Sequence, residues 1–143
     1  MPEAERTVMI ERPRDEVFAF FTDHANDPAW RPNLVRIDGV ADAAPGTRIQ
    51  QIIKGPMGRG LAADIQVTVN ERPSRYVFQV VAGPVRPRGE FRFAPAGAGT
   101  EVRFALTAEV SGIKGLLLSR AVQSSMDGEM AGLDTAKRLI EGS

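Results

Sequence analysis

The sequence predicts an α+β fold in which a seven-stranded antiparallel sheet with one wet face packs against one long C-terminal helix. Residues 34–110 alternate between apolar and polar side chains, whereas residues 112–141 contain no proline and follow a helical period. Two short helical segments separate the first strand from the rest of the sheet. The predicted order is therefore β-α-α-β6-α, in a single domain that spans residues 1–143.

The N-terminal part of the chain predicts one strand and two helices. Residues 5–11 are β-prone and stop before Pro13, which cannot donate a ladder hydrogen bond. Pro13 then opens a first helix that runs to about Asp23. Asp27 and Pro28 form an N-cap and N1 pair, which predicts a second, very short helix that includes Trp30.

The stretch DHANDPAWRP, residues 23–32, holds the only histidine, His24, and the only tryptophan, Trp30. It is either an acid/base corner of an active site or a short capped helix with an aromatic plug. No second histidine and no nearby serine or cysteine nucleophile accompanies His24, so the second interpretation is preferred. We therefore expect His24 to be a surface or capping residue whose replacement by alanine leaves function largely intact. Trp30→Ala is expected to destabilise the fold by about 3 kcal/mol or more.

The alternation along the strands indicates which residues face the closing helix. Residues 61–71, for example, place Val67 and Val69 on one face and polar side chains on the other. The predicted lining of a space between sheet and helix is Trp30, Ile49, Gln51, Ile53, Ile65, Val67, Tyr76, Phe78, Phe91, Phe93, Phe104 and Leu106, with Val122, Met126, Glu129, Met130 and Leu133 from the helix. These residues either form a solid core or leave a cavity for a small molecule.

Three polar side chains are expected to point inward and are the candidates for chemistry. Gln51 lies between two isoleucines, Tyr76 leads an apolar row, and Glu129 lies about 40° from the centre of the helix's apolar stripe. A carboxylate in that position must be paired, protonated or wet. Glu129 is therefore either a polar anchor or general acid/base at a ligand site, or it reaches solvent or an arginine from the edge of the stripe.

The amino-acid composition limits the classes of partner and cofactor that can be expected. Eighteen basic and eighteen acidic side chains cancel, so no net field is expected to attract nucleic acid, an anionic membrane or an acidic protein. No cysteine is present and histidine occurs once, so neither a metal site nor a cofactor is predicted. The sequence shows no signal peptide and no apolar run of membrane-spanning length, which predicts a cytoplasmic protein without stable membrane insertion.

Four stretches, in this order along the chain, resemble the START-like superfamily, also called SRPBCC or birch-pollen-allergen-like, and within it the polyketide cyclase/dehydrase type. The stretches are IERPRDEVFAFFTDHANDPAWRP, VTVNERPSRYVFQV, FAPAGAGTEVRF and GIKGLLLSRAVQSSMDGEMAGLDTAKRLIE. The resemblance implies a helix-grip fold, in which a curved sheet wraps the C-terminal helix and leaves an apolar tunnel. It does not imply one activity, because the fold has many functions.

Three functions compete at this point. The first is binding of a hydrophobic, lipid-like or polyketide-like small molecule in the tunnel. The second is an aromatase/cyclase-type enzyme without metal or covalent nucleophile, in which one or two polar groups move protons; it requires Tyr76, Gln51 or Glu129 to converge on one spot. The third is a protein-interaction module. Ile113, Leu116 and Leu117 lie off the main helix stripe and could cap the tunnel mouth, form a homodimer contact or touch a membrane.

Overall fold

The computed structural model describes residues 2–83, 85–109 and 112–142, and the side chains of Pro56 and of 112–118 lie outside that description. The predicted α+β class and the element order are confirmed. In chain order the elements are β1 (Glu3–Ile10), α1 (Arg14–Thr22), a 3₁₀ helix (His24–Asn26), α2 (Asp27–Trp30), β2 (Leu34–Ile37), β3 (Arg48–Ile49), β4 (Gln51–Lys54), a 3₁₀ turn (Pro56–Gly58), β5 (Gly60–Ala62), β6 (Ile65–Glu71), β7 (Arg75–Val80), β8 (Arg88–Ala96), β9 (Gly99–Thr107) and α3 (Gly112–Glu141).

The sheet is antiparallel, and two of its strands are interrupted by a bend. Its strand order is β1-β9-β8-β7-β6-β3 in one part and β2-β4-β5 in the other. Only Gln50 separates β3 from β4, and only Ala63 and Asp64 separate β5 from β6. At the bend the backbone N–H of Gln51 donates to the Asp64 carboxylate over 3.4 Å instead of to a ladder carbonyl. Counting each bent pair as one strand gives the seven strands that the sequence predicts.

A β-bulge in β6 changes which residues face the helix. Val67 is opposite Phe78 on β7, but Val69 is opposite Val77, so Thr68 is an inserted residue in the ladder. Directly opposed side chains share a face of the sheet, and Val69 therefore lies with Val77 on the outer face. The prediction that Val69 continues the inner row is wrong, because strict alternation in the sequence contains no sign of the inserted residue.

Helix α1 fills one half of the space between the sheet and α3. The Phe18 ring meets Phe93 at 5.2 Å and Tyr76 at 6.3 Å, edge to face, and Phe21 meets Phe91 at 5.2 Å. Other buried residues of the same cluster are Ile10, Val17, Ile49, Val67, Val102, Met130, Leu133 and Ala136. We call this region the packed half.

Helix α2 lies directly against α3, and Gly132 makes the close approach possible. A Cβ at Gly132 would lie 2.4 Å from the backbone carbonyl oxygen of Trp30, closer than any side chain could be accommodated. Trp30 itself is a buried plug, as predicted, and its ring lies 5.4 Å from that of Phe21. Within the described residues, no helix combines the length and the apolar character needed to cross a membrane.

Candidate functional site: a cavity with one polar end

A cavity of about 820 Å³ occupies the other half of the space between the sheet and α3. We call this region the open half. Its apolar walls come from Leu61, Ala63, Ile65, Phe78, Val80, Val85, Phe91, Phe104, Leu106, Val122 and Met126, among others. Exposed Lys54, Gly58 and Ala62 border the cavity, so it opens to solvent at this mouth. Ligand pockets have volumes of roughly 300–1,000 Å³, and the cavity falls within that range.

The structure divides the seventeen predicted binding residues between the two halves. Those that line the cavity are Trp30, Gln51, Ile53, Ile65, Phe78, Phe91, Phe104, Leu106, Val122, Met126 and Glu129. Those that do not line it are Ile49, Val67, Tyr76, Phe93, Met130 and Leu133, which are buried in the packed half. The second set continues the same apolar rows as the first. Phe18 of α1 packs on Tyr76 and Phe93 of this set, which alternation alone does not reveal.

A cluster of buried polar side chains forms the inner end of the cavity, with Arg31 at its centre. Arg31 Nε donates to Glu129 Oε2 over 3.0 Å, and Nη2 donates to Glu129 Oε1 over 3.1 Å. Arg31 Nη1 donates to Asp27 Oδ2 over 3.1 Å and to Gln51 Oε1 over 3.0 Å. Helix α3, strand β4 and the start of α2 are therefore tied to one guanidinium group at the end of α2. We call Tyr76, His24, Asp27, Arg31, Gln51 and Glu129 the polar cluster.

His24 is not at the surface, and the expectation that it is a surface or capping residue is wrong. It is 4% exposed, it lines the cavity, and its two ring nitrogens have partners. Nδ1 lies 2.8 Å from Asp27 Oδ2 and Nε2 lies 2.9 Å from the Tyr76 hydroxyl. The single turn of 3₁₀ helix before α2 directs the ring inward, and Asp23 rather than His24 caps that turn by accepting from the N–H of Ala25.

Asp27 also differs from its predicted role. Its carboxylate does not cap α2, for which Asn26 holds the N-cap position, but turns inward to His24 and Arg31. The carboxylate of Asp27 can only accept, so Nδ1–H of His24 donates to it, which leaves Nε2 as the acceptor for the Tyr76 hydroxyl. Burial, and then the negative charges of Asp27 and Asp42, raise the pKa of Tyr76, so the phenol keeps the proton that it donates. The result is a chain of hydrogen bonds from the packed half to the cavity.

Arg31 and Glu129 neutralise each other at the polar end. Burial alone lowers the pKa of Arg31, but the charges of Glu129 and Asp27 outweigh it and raise that pKa above its ordinary value. Glu129 is 9% exposed, lines the cavity and pairs with this arginine, which is one of the two interpretations left open above. Its carboxylate is therefore paired without reaching open solvent.

The three candidates for chemistry meet in one cluster, but only two of them face the cavity. Gln51 and Glu129 both line it and both bind Arg31, whereas Tyr76 reaches the cavity only through His24. Sequence reasoning missed Arg31 and the inward roles of His24 and Asp27. The signal was present in the spacing, because His24 and Asp27 are three apart and Asp27 and Arg31 four apart, distances that place side chains together on a helix.

A curved antiparallel sheet that grips a C-terminal helix around an apolar cavity defines the START-like, helix-grip class of proteins. The chain belongs to the family described as polyketide cyclase / dehydrase and lipid transport, whose profile matches residues 1–138. The resemblance seen in the sequence is thereby confirmed. Membership supports the binding of hydrophobic ligands at a general level and specifies no ligand. Comparison with curated proteins found no match.

Several solved structures share the fold. Protein TTHA0849 from Thermus thermophilus is 23% identical, covers 99% of this chain and 98% of its own, and superimposes with a TM-score of 0.79. A START superfamily protein from Mycobacterium smegmatis is 13% identical, with 96% and 98% covered and a TM-score of 0.73. A protein from Arthrobacter aurescens is 13% identical, with 99% and 87% covered and a TM-score of 0.76. At these identities the likeness concerns the fold alone.

Proposed function

We propose that the cavity binds an apolar molecule with an uncharged oxygen acceptor, such as a ketone or ester carbonyl, at its inner end. The observation that carries the proposal is the combination of a long apolar wall with a polar end whose buried cation is already neutralised. Phe78, Phe104 and Met126 offer the apolar part of a ligand an aromatic and adaptable surface. The polar end then determines which kind of oxygen group on a ligand can bind there.

Charge balance in the polar cluster disfavours a ligand carboxylate. Arg31 supplies one positive charge against the two carboxylates of Asp27 and Glu129. Even a protonated His24 would only bring the cluster to neutrality. A fatty-acid carboxylate placed here would be a buried charge without a counter-ion, which is costly in a low-dielectric site. The cavity is therefore better suited to an uncharged molecule.

Two hydrogen-bond donors in the cluster are available to an uncharged oxygen. Arginine has no acceptor, so its contact fixes Oε1 of Gln51 toward Arg31 and leaves Nε2 as a donor. Gln51 is 4% exposed and lines the cavity, and Nε2 has no partner among the described residues. Four of the five N–H groups of Arg31 donate to partners among the described residues, so one N–H on Nη2 also remains available. Two donors suit the lone pairs of a carbonyl oxygen.

The experiment uses the single tryptophan as a reporter, because Trp30 lines the cavity. Titration with a long-chain methyl ester and with the fatty acid of the same length, followed by Trp30 fluorescence at neutral pH, compares the two classes. We expect the ester to bind at least about tenfold more tightly, since tenfold corresponds to about 1.4 kcal/mol and an unpaired buried charge costs more. Equal or tighter binding of the acid would contradict the charge argument. No fluorescence change with either would contradict ligand binding here.

Replacement of Gln51 tests the donor. Gln51→Leu keeps the volume and removes Nε2, and we expect the affinity for the ester to fall roughly fivefold, the effect of one hydrogen bond. The affinity for a hydrocarbon of similar length should not change. Gln66→Leu is the matched control, because Gln66 is an exposed residue of β6 and does not line the cavity. An equal loss in both variants would show that Gln51 does not contact the ligand's oxygen.

Proton transfer to a bound ketone is the second candidate function, and the Tyr76–His24–Asp27 chain favours it. A carbonyl held by Gln51 and Arg31 would be polarised, and His24 lines the same cavity. Both nitrogens of His24 are occupied, however, which makes binding without reaction the better-supported function. Deuterium incorporation next to the carbonyl of a bound methyl ketone tests the alternative. A rate above that of buffer, lost in His24→Gln while the ketone still binds, would establish an enzyme; a rate equal to buffer would exclude this reaction.

A further inference from the structure

Charged side chains are distributed unevenly, although the whole chain is neutral. The outer part of the cavity is bordered by residues within 53–63, 83–87 and 121–126. Together with the adjacent Arg120, these segments contain four basic residues, Lys54, Arg59, Arg86 and Arg120, and no acidic residue. The rest of the chain therefore carries fourteen basic and eighteen acidic residues. Net neutrality, which by itself predicts no attraction to an anionic surface, hides a positively charged mouth.

Basic side chains at the mouth are placed to meet an external partner. Lys54, Arg59, Arg86 and Arg120 are exposed. Within the described residues, none of these four is within salt-bridge distance of a carboxylate, whereas ten other arginines and lysines are. Lys54 lines the cavity, and the other three are chain neighbours of lining residues. Among the described residues, cations without a carboxylate partner therefore lie at or next to the cavity lining in the sequence, whereas most cations elsewhere form salt bridges.

An exposed methionine lies between two of these cations. Met57 is 99% exposed at the tip of the turn between β4 and β5, and its φ of 61° is in the left-handed region. Lys54 and Arg59 flank it, and the adjacent Gly58 lines the cavity. An apolar side chain among cations is the combination that binds an anionic bilayer, because the apolar group enters the acyl boundary and the cations meet the headgroups.

We propose that this mouth face, defined by Lys54, Met57, Arg59, Arg86 and Arg120, docks on an anionic lipid bilayer with the cavity opening toward the membrane. A bilayer fits better than an acidic protein because an exposed apolar side chain accompanies the cations, and because each of them lines an apolar cavity or is a chain neighbour of a residue that does. A docked mouth lets an apolar molecule pass between bilayer and cavity without crossing water, where its exposure is unfavourable. The docking is peripheral and needs no membrane-spanning segment.

Vesicle sedimentation tests the proposal with the full chain. We expect binding to vesicles of phosphatidylcholine with phosphatidylglycerol, little binding to phosphatidylcholine alone, and weakening by added salt, which screens exposed charges. Lys54→Ala/Arg59→Ala should lower the partition coefficient roughly fivefold for each residue removed. Met57→Ser should lower it several-fold as well. The ligand titration with Trp30 fluorescence should be unchanged in Met57→Ser, so the docking face and the cavity are tested separately.

Matched controls keep the test specific. Arg14→Ala/Arg138→Ala makes the same change in net charge as Lys54→Ala/Arg59→Ala. Arg138 lies away from the mouth face, about 27 Å along α3 from Arg120 at 1.5 Å per residue. Met9→Ser removes a methionine that is 45% exposed on β1. Both controls should bind vesicles like the wild type. Absence of binding at low salt, equal binding to both kinds of vesicle, or equal losses in the controls would overturn the proposal. Binding of polyglutamate without vesicle binding would assign the face to an acidic protein and overturn it too.

Discussion

The packed half and the open half are built from the same strands and the same helix, yet the cavity of about 820 Å³ lies in the open half. Phe93 of β8 and Met130 of α3 are in the packed half, whereas Phe91 and Met126 of the same elements line the cavity. The rings of Phe91 and Phe93 are stacked at 5.9 Å, so the boundary runs between neighbouring inward residues. What differs is α1, whose Phe18 fills the space on one side.

This difference shows that the cavity depends on which part of the sheet the helix pair covers, and not on which side chains face the space. Apolar side chains of similar size line both halves, and close packing is the ordinary outcome for such surfaces. Helix α1 is only nine residues long, and the polar cluster begins in the 3₁₀ helix and α2 that follow it. Predictions that separate the halves therefore compare matched residues on the two sides of that boundary.

The largest contrast is expected between two leucines. Leu133→Ala in the packed half should lower the free energy of unfolding by about 4 kcal/mol, because it creates a new void among close neighbours. Leu106→Ala should cost about 2 kcal/mol, because Leu106 already borders the cavity and loses fewer contacts. Denaturant unfolding followed by circular dichroism measures both. Equal losses would mean that the open half is closed in solution.

The next effect concerns the polar cluster at the boundary. Arg31→Met removes the charge between Asp27 and Glu129 and should destabilise the protein by about 3 kcal/mol, since two buried carboxylates lose their partner. Arg31→Met/Asp27→Asn/Glu129→Gln should recover most of that loss. Arg48→Met is the control, because the Arg48 side chain is 58% exposed in its pair with Asp64, and a pair with a solvent-exposed arginine is worth less than about 1 kcal/mol. A loss as small as that of the control would show that the cluster is solvated.

The sequence predicted the scaffold well because the scaffold depends on periodicity. The inward positions of Phe91, Phe104 and Val122 could be predicted from spacing alone, and so could the long C-terminal helix. The bulge at Thr68 and the inward turn of His24 were not, because each depends on a local backbone choice that leaves the residue pattern unchanged. The predictions about Ile113, Leu116 and Leu117 stay predictions, because these side chains lie outside the described residues. Cytoplasmic location and a homodimer remain predictions.

The division between core and cavity could not be predicted for a different reason. It depends on how far α1 and α2 reach across the sheet, which is a tertiary contact. Gly132 allows α2 to lie against α3, and that contact sets where Trp30 and the polar cluster are placed. A glycine in a helix can be recognised in a sequence, but its partner cannot.

The smallest effect at neutral pH, and the sharpest in its pH dependence, is expected at the hydroxyl of Tyr76. Tyr76→Phe leaves Nε2 of His24 without its donor and should cost about 1 kcal/mol. The raised pKa of Tyr76 adds a specific signature, because the unfolded chain ionises near the ordinary value of 10.0 while the folded chain keeps the phenol neutral. Above that pH the unfolded state binds fewer protons than the folded state, so this contribution to stability falls as the pH rises.

Tyr76 is the only tyrosine, so tyrosinate absorbance reports this one group. We expect no tyrosinate signal from the folded protein at pH values where a free tyrosine ionises, and a signal that appears together with unfolding. Tyr76→Phe should remove the part of the alkaline destabilisation that belongs to this group, while the part due to lysines remains in both proteins. Ionisation of Tyr76 in the folded protein near its ordinary pKa would show that water reaches its hydroxyl. The polar cluster would then be open on both sides and would not separate the packed half from the cavity.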